Sequence, residues 1–209
     1  MVERTARRGR PPVSDEQRRQ QRLEISRHAV RLFREQGVAA TSGEQIAKAA
    51  GVSERTLWRY FRSKESCVEP LLTKTIEAFQ RVLRSWPPEL ELAEHLRAAY
   101  TLVPEESWSE VEAVLAVIRM THDEPALRAA YLVLRERAEP TFVEVLAERQ
   151  GVRSDALEVR MQAAAVSAAL REATDELVAI TAAGVDSEVL NRHREQLADA
   201  LHFITRPPG

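Results

Sequence analysis

TSGEQIAKAAGVSERTLWRYF, residues 41–61, reads as two short helices meeting at a glycine corner. Thr41-Ser42-Gly43-Glu44 has the form of a capping box, with Thr41 as the predicted cap and Glu44 reaching back to it. Ile46, Ala47 and Ala50 share one face of the helix that follows, and Gly51 closes it. Ser53 then caps a second helix, predicted from Glu54 to about Phe61, with Leu57 and Phe61 facing inward. Gly51 lets the backbone reverse tightly, and Val52 fills the corner. With Leu57 at zero on a wheel of ~100° per residue, Phe61 falls near ~40°, and Arg55 and Arg59 near ~160° and ~200°. The two arginines therefore share the face opposite the core. Guanidinium forks placed in this way suit base edges in a DNA major groove. Thr56, Trp58 and Tyr60 flank that face, where their hydroxyl and indole N–H groups can donate to phosphates. The same aromatics also suit packing, and the arginines a solvated face.

Charge supports the first reading. The chain has a net charge of −2, but residues 1–66 carry 15 Lys+Arg against 8 Asp+Glu, and residues 67–209 carry 15 against 24. A basic third on an acidic remainder predicts a polyanionic partner for the first part only. Residues 1–15 read as a flexible arm, because Gly9, Pro11 and Pro12 oppose a helix. Its Arg8-Gly9-Arg10-Pro11 is similar to the core of an AT-hook, which slides arginines into a narrow minor groove. A generically basic tail held by phosphate electrostatics fits the same residues.

From Asp15 a helix is predicted, with Ile25, Ala29, Leu32 and Phe33 in one stripe and a stop at Gly37. Ser63 can cap a long fourth helix running to Trp86, where Pro87-Pro88 ends it. Helical patterns continue at about 89–103, 109–120, 125–150, 154–181 and 186–205, with a kink expected at Pro140. No segment alternates with period two. The fold class is all-α: an N-terminal three-helix domain with a helix-turn-helix over 16–62, and a larger helical domain over 63–209.

The segment from Ile25 to Leu72 carries Leu32-Phe33, Gly37, Thr41, Ile46-Ala47, Ala50-Gly51-Val52-Ser53, Thr56-Leu57-Trp58-Arg59-Tyr60-Phe61 and Ser63-Lys64-Glu65 in order. It resembles the DNA-binding domain of the TetR/AcrR family. The resemblance implies that Thr56, Tyr60 and Lys64 touch phosphates, with the helix start near Thr41 and Ser42 meeting another. The predicted DNA contacts are then Arg7, Arg8, Arg10, Thr41, Ser42, Ser53, Arg55, Thr56, Trp58, Arg59, Tyr60 and Lys64. Two positions depart from the family pattern. Trp58 stands where tyrosine is usual, and Gly43 where an aliphatic or charged residue is common, which would loosen the first helical turn by up to ~1 kcal/mol.

The resemblance further implies a small-molecule effector bound in the larger domain, a homodimer held by the last two helices, a two-fold operator, and a repressor released by its ligand. Residues 163–170 are mostly small, which permits close helix approach. Leu190, Leu197, Leu201 and Ile204 form an apolar stripe suited to an interface or an internal core. Candidate pocket residues are Phe79, Trp86, Tyr100, Trp108, Val117, Met120, Tyr131, Leu134 and Met161, with Thr121 and His122 as polar contacts. Each also suits plain core packing.

Other classes lack their motifs. The five histidines have no zinc spacing, there is no phosphate-binding glycine loop and no nucleophile elbow, so no metal, cofactor or enzymatic activity is expected. Lone Cys67 precludes an internal disulfide and reads as a packing residue or a redox sensor. The arginine-rich start has no apolar core of a secretory signal and no stretch is long enough to span a membrane, which predicts a cytoplasmic protein. The competing function is a sequence-tolerant DNA-architectural dimer without ligand control.

Overall fold

The computed structural model describes residues 14–102, 108–181 and 184–205. Among these residues all regular structure is helical: α1 (Asp15–Gln36), α2 (Gly43–Ala49), α3 (Glu54–Tyr60), a 3-10 turn (Glu65–Val68), α4 (Glu69–Arg84), α5 (Leu92–Ala99), α6 (Trp108–Asp123), α7 (Pro125–Gln150), α8 (Leu157–Ile180) and α9 (Ser187–Thr205).

Local chemistry sets several of these boundaries. Ser14 caps α1 through a reciprocal box with Gln17, and Asp15 and Glu16 complement the positive end of the helix dipole. Pro125 starts α7, where its missing N–H is no loss, and Pro140 is accommodated inside the same helix. The predicted long fourth helix is in two pieces. Pro70 lies in the first turn of α4, where its ring is compatible with a helix start but clashes with a continuing helix behind it. The preceding residues therefore wind as the 3-10 turn, and no side chain caps the joint.

Two apolar clusters hold the molecule together. The first joins the N-terminal helices to the body: Ile25, Phe33, Ile46, Leu57 and Phe61 pack with Leu71, Leu72, Val114 and Ile118. Cys67 belongs to it and is fully buried. Burial, with Glu65 and Glu69 nearby, pushes its thiol up to about 12, so at neutral pH it is a packing residue. The second cluster lies at the far end of the body, where Phe79 meets the rings of Tyr100 and Phe142 edge-on amid Leu96, Val159, Leu197 and Leu201. Here α8 packs along both α7 and α9, and α5 covers α9.

Candidate DNA-reading face and interior cavities

The cap of α2 lies one residue later than predicted. Ser42 Oγ accepts from the Gln45 N–H at 3.1 Å, and Gln45 Oε1 accepts from the Ser42 N–H at 2.7 Å. Thr41 is instead buried, donating its hydroxyl to the Gly37 carbonyl at 2.8 Å and accepting from Gln36 at 3.1 Å. The corner after α2 is a Schellman turn. The Val52 N–H reaches the Ala47 carbonyl at 2.9 Å and the Gly51 N–H that of Lys48 at 3.2 Å. Gly51 has φ +65°, which a side chain would strain. Ser53 then caps α3 by accepting from the Thr56 N–H at 3.2 Å.

The two departures from the family pattern form one packed feature. The Trp58 indole lies over Gly43, and a Cβ there would fall 2.1 Å from Trp58 Cζ2. Glycine admits the larger ring, and the ring braces α3 against the start of α2. Gly43→Ala should thus lose the usual gain of about 1 kcal/mol for such a change in the parent, yet recover it in a Trp58→Ala background. Additive effects in a double-mutant unfolding cycle would show that the ring gives way freely.

Arg55 and Arg59 are exposed on α3, opposite fully buried Leu57. Among the described residues neither makes a hydrogen bond or ion pair, and the Arg59 guanidinium rests 5.1 Å from the Tyr60 ring centre. Thr56 Oγ1 lies 3.0 Å from Ser53 Oγ, and Trp58 remains 44% exposed beside them. The Tyr60 hydroxyl donates to Gln21 on α1 at 2.8 Å. Lys64 is a correction: its ammonium donates to the carbonyls of Val38 at 2.6 Å, Thr41 at 2.8 Å and Ala39 at 3.3 Å. It ties down the α1–α2 loop instead of facing outward. Arg7, Arg8 and Arg10 lie outside the described residues.

Sequence reading missed the residue joining this head to the body. Glu110 on α6 is buried, paired with Arg27 of α1 and with Lys74 of α4 at 2.6 Å. Burial acts to raise the pKa of its carboxyl, but hydrogen bonds and charge from Lys74 and Arg27 outweigh burial and hold it low. The signal was present: Glu110 shares the apolar stripe of Val114, Val117 and Thr121.

A narrow cleft with about 30 Å³ of room opens between α4, α7 and α8. Of the predicted pocket residues, Phe79, Tyr100 and Tyr131 line it. Arg135, unforeseen, donates to the Tyr131 hydroxyl at 3.0 Å and to the Ser167 carbonyl at 2.5 Å, bringing one positive charge to an aromatic wall. Trp108, half exposed, lines a second cavity with Tyr100. The remaining candidates lie elsewhere. Trp86 is stapled at the end of α4, donating to the Leu90 carbonyl at 2.8 Å beneath the Arg149 guanidinium. Val117 is core, Met120 and Leu134 pack against that core, and Thr121 donates to its own helix. His122 pairs with Asp175, and Met161 is 63% exposed on α8.

Leu197 and Leu201 are likewise not surface residues; both are fully buried inside their own subunit. The large exposed apolar groups of the last two helices are Leu157, Met161 and Ile180 on α8 and Phe203, at 86% exposure, on α9. Ala164 and Ala168 continue the α8 row at i+7 and i+11 from Leu157, and both are exposed.

Residues 25–71 match the family profile described as bacterial regulatory proteins, tetR family. The chain is 32% identical over 151 residues to the HTH-type transcriptional regulator TcmR of Streptomyces glaucescens, covering 69% of this chain and 67% of the relative. Similarity to the nucleoid occlusion factor SlmA of Haemophilus ducreyi, 41% identical over 76 residues, spans only 36% of this chain and 35% of the relative. Among solved structures, Salmonella enterica GusR superposes with a TM-score of 0.57 at 21% identity, covering 92% of this chain and 96% of that one. Thermus thermophilus FadR in complex with lauroyl-CoA superposes with a TM-score of 0.53 at 24% identity, covering 88% and 92%.

Proposed function

The chain belongs to the tetR family of bacterial regulatory proteins, and we propose that it is a repressor, holding a two-fold operator as a homodimer and releasing it when a small molecule enters the helical body. It is a DNA-binding transcriptional regulator. The observation that carries the finer reading is the pair Arg55 and Arg59, exposed and free of hydrogen bonds and ion pairs among the described residues, on one face of α3 while Leu57 anchors the other. The interior cavities support a ligand, as does the lauroyl-CoA held by FadR on a similar fold. Glu110 supplies the connection: an effector that shifts α6 must move or break its pairs with Arg27 and Lys74. No described helix is long and apolar enough to cross a membrane.

Repression by a dimer needs a surface for the second copy, and the exposed row Leu157, Met161, Ala164 and Ala168 with Phe203 fits that role. Met161→Glu combined with Phe203→Glu should yield a folded monomer in sedimentation, with operator affinity reduced at least ~100-fold because one half-site is lost. A dimer persisting in that variant would place the interface elsewhere. The release step is tested on a reporter driven by the promoter region flanking the coding sequence. Expression should be low with the protein present and rise with the effector; a reporter activated by the protein would contradict repression.

A further inference from the structure

The second cavity lies between the C-terminal end of α5, the start of α6 and the first half of α9, with about 110 Å³ of room. That room is on the order of the cavity that accepts a single aromatic ring. Trp108, Val111, Leu102 and Leu190 make its walls apolar, and Tyr100 separates it from the first cavity. Polar side chains break that lining: Thr101, and Ser187 and Asn191 on α9, together with the adjacent His193 and Arg194.

Neither His193 nor Arg194 has the partners its burial calls for. His193 is 3% exposed; the Ala173 carbonyl on α8 lies within reach of its ring, but neither ring nitrogen makes a hydrogen bond of good geometry. Its ring is tilted against Tyr100, with centres 6.4 Å apart. Arg194 Nη2 donates to Asn191 Oδ1 at 2.8 Å, but its Nε is buried and unpaired. Among the described lining residues there is no carboxylate to neutralise the guanidinium. Buried polar groups are normally satisfied, so a donor fork and an imidazole left open on an apolar chamber point to a partner that brings its own acceptors.

We propose that this cavity binds a flat, apolar monocarboxylic acid, its carboxylate held by Arg194 and His193 and its ring system against Trp108, Val111 and Leu190. The proposal rests on the ligand-released regulator reading above and specifies the class of its effector. An aromatic carboxylate meets both demands: a guanidinium recognises carboxylate oxygens in a planar fork, and the indole offers a broad face to a ring. A neutral imidazole can donate from one nitrogen to the same oxygens. The position also explains how binding reaches DNA, because Val111 adjoins Glu110, whose carboxylate holds Arg27 of the DNA-binding head.

The test uses the full-length protein and titration calorimetry with 1-naphthoate and benzoate, each against its own carboxamide. At least one acid should bind ~10-fold or more tighter than its amide, Arg194→Gln should abolish that preference, and Arg194→Lys should restore part of it. Equal affinity for acid and amide, a preference unchanged by Arg194→Gln, or no binding of either acid would overturn the proposal. Titrating promoter DNA with the same samples separates the two claims. Sequence-specific DNA binding without acid binding sinks the effector class and leaves the regulator standing. Acid binding without loss of DNA supports this site and sinks the release step.

Discussion

Glu110→Ala should destabilise the protein by about 3 kcal/mol, a large effect for a single substitution. The carboxylate is buried between two cations, and removing it leaves Arg27 and Lys74 facing each other without their counter-charge. Breaking a buried pair in this way typically costs about 3–5 kcal/mol. The lower end applies here, because Arg27 is about one-third exposed and can recover some hydration. The sign with pH follows from the lowered carboxyl pKa: the contribution is complete above the ordinary value near 4.5 and fades as pH falls below it. Denaturant unfolding of parent and variant at pH 7 and pH 3 checks this. The gap should be wide at pH 7 and narrow at pH 3; a loss under about 0.5 kcal/mol at pH 7 would remove Glu110 from the account.

Arg55→Ala and Arg59→Ala should each weaken binding to the cognate operator by about 1–3 kcal/mol, and each should relax the base preference at its own position. Their combination should cost roughly two or more orders of magnitude, since the side chains occupy different turns of α3 and share no partner among the described residues. Stability should barely move, because both side chains are exposed. Binding-site selection from a randomised duplex pool, run for parent and both variants, reads the preference directly. Variants that lose affinity for random and cognate duplex alike would make these arginines phosphate contacts.

Much of the head was legible in the sequence because its signals are local. Gly51, Val52 and Ser53 specify a corner and a cap within three residues, and the structure forms both. The all-helical body was legible for the same reason, down to the span of α7 between Pro125 and Gly151. The cap of α2 was misplaced by one residue because Thr41 and Ser42 are both competent caps. Long-range packing decides between them, burying Thr41 under Gln36 and leaving Ser42 at the helix start. Lys64 shows the same limit: a lysine beside a recognition helix suits a phosphate, and only the folded loop reveals three carbonyls converging on it. Leu197 and Leu201 follow a helical period that is identical for an internal core and an interface, so the stripe alone could not assign them. Trp86 and Met161 were drawn into the pocket by residue type, although one is stapled to a turn and the other faces outward. Arg135, His193 and Arg194 carried no local motif, and it is convergence of distant helices that brings each to a cavity wall.

The central claim, that α3 reads sequence, is tested most directly by fluorescence anisotropy with two labelled duplexes of equal length at one fixed salt concentration. One is a two-fold site recovered by footprinting near the coding region, and the other is its scrambled counterpart. The account predicts a preference of ~10³ or more for the two-fold site, falling by at least ~10-fold in Arg55→Ala. Equal affinity for both duplexes, with the same salt dependence, would contradict it and identify the protein as a sequence-tolerant DNA binder.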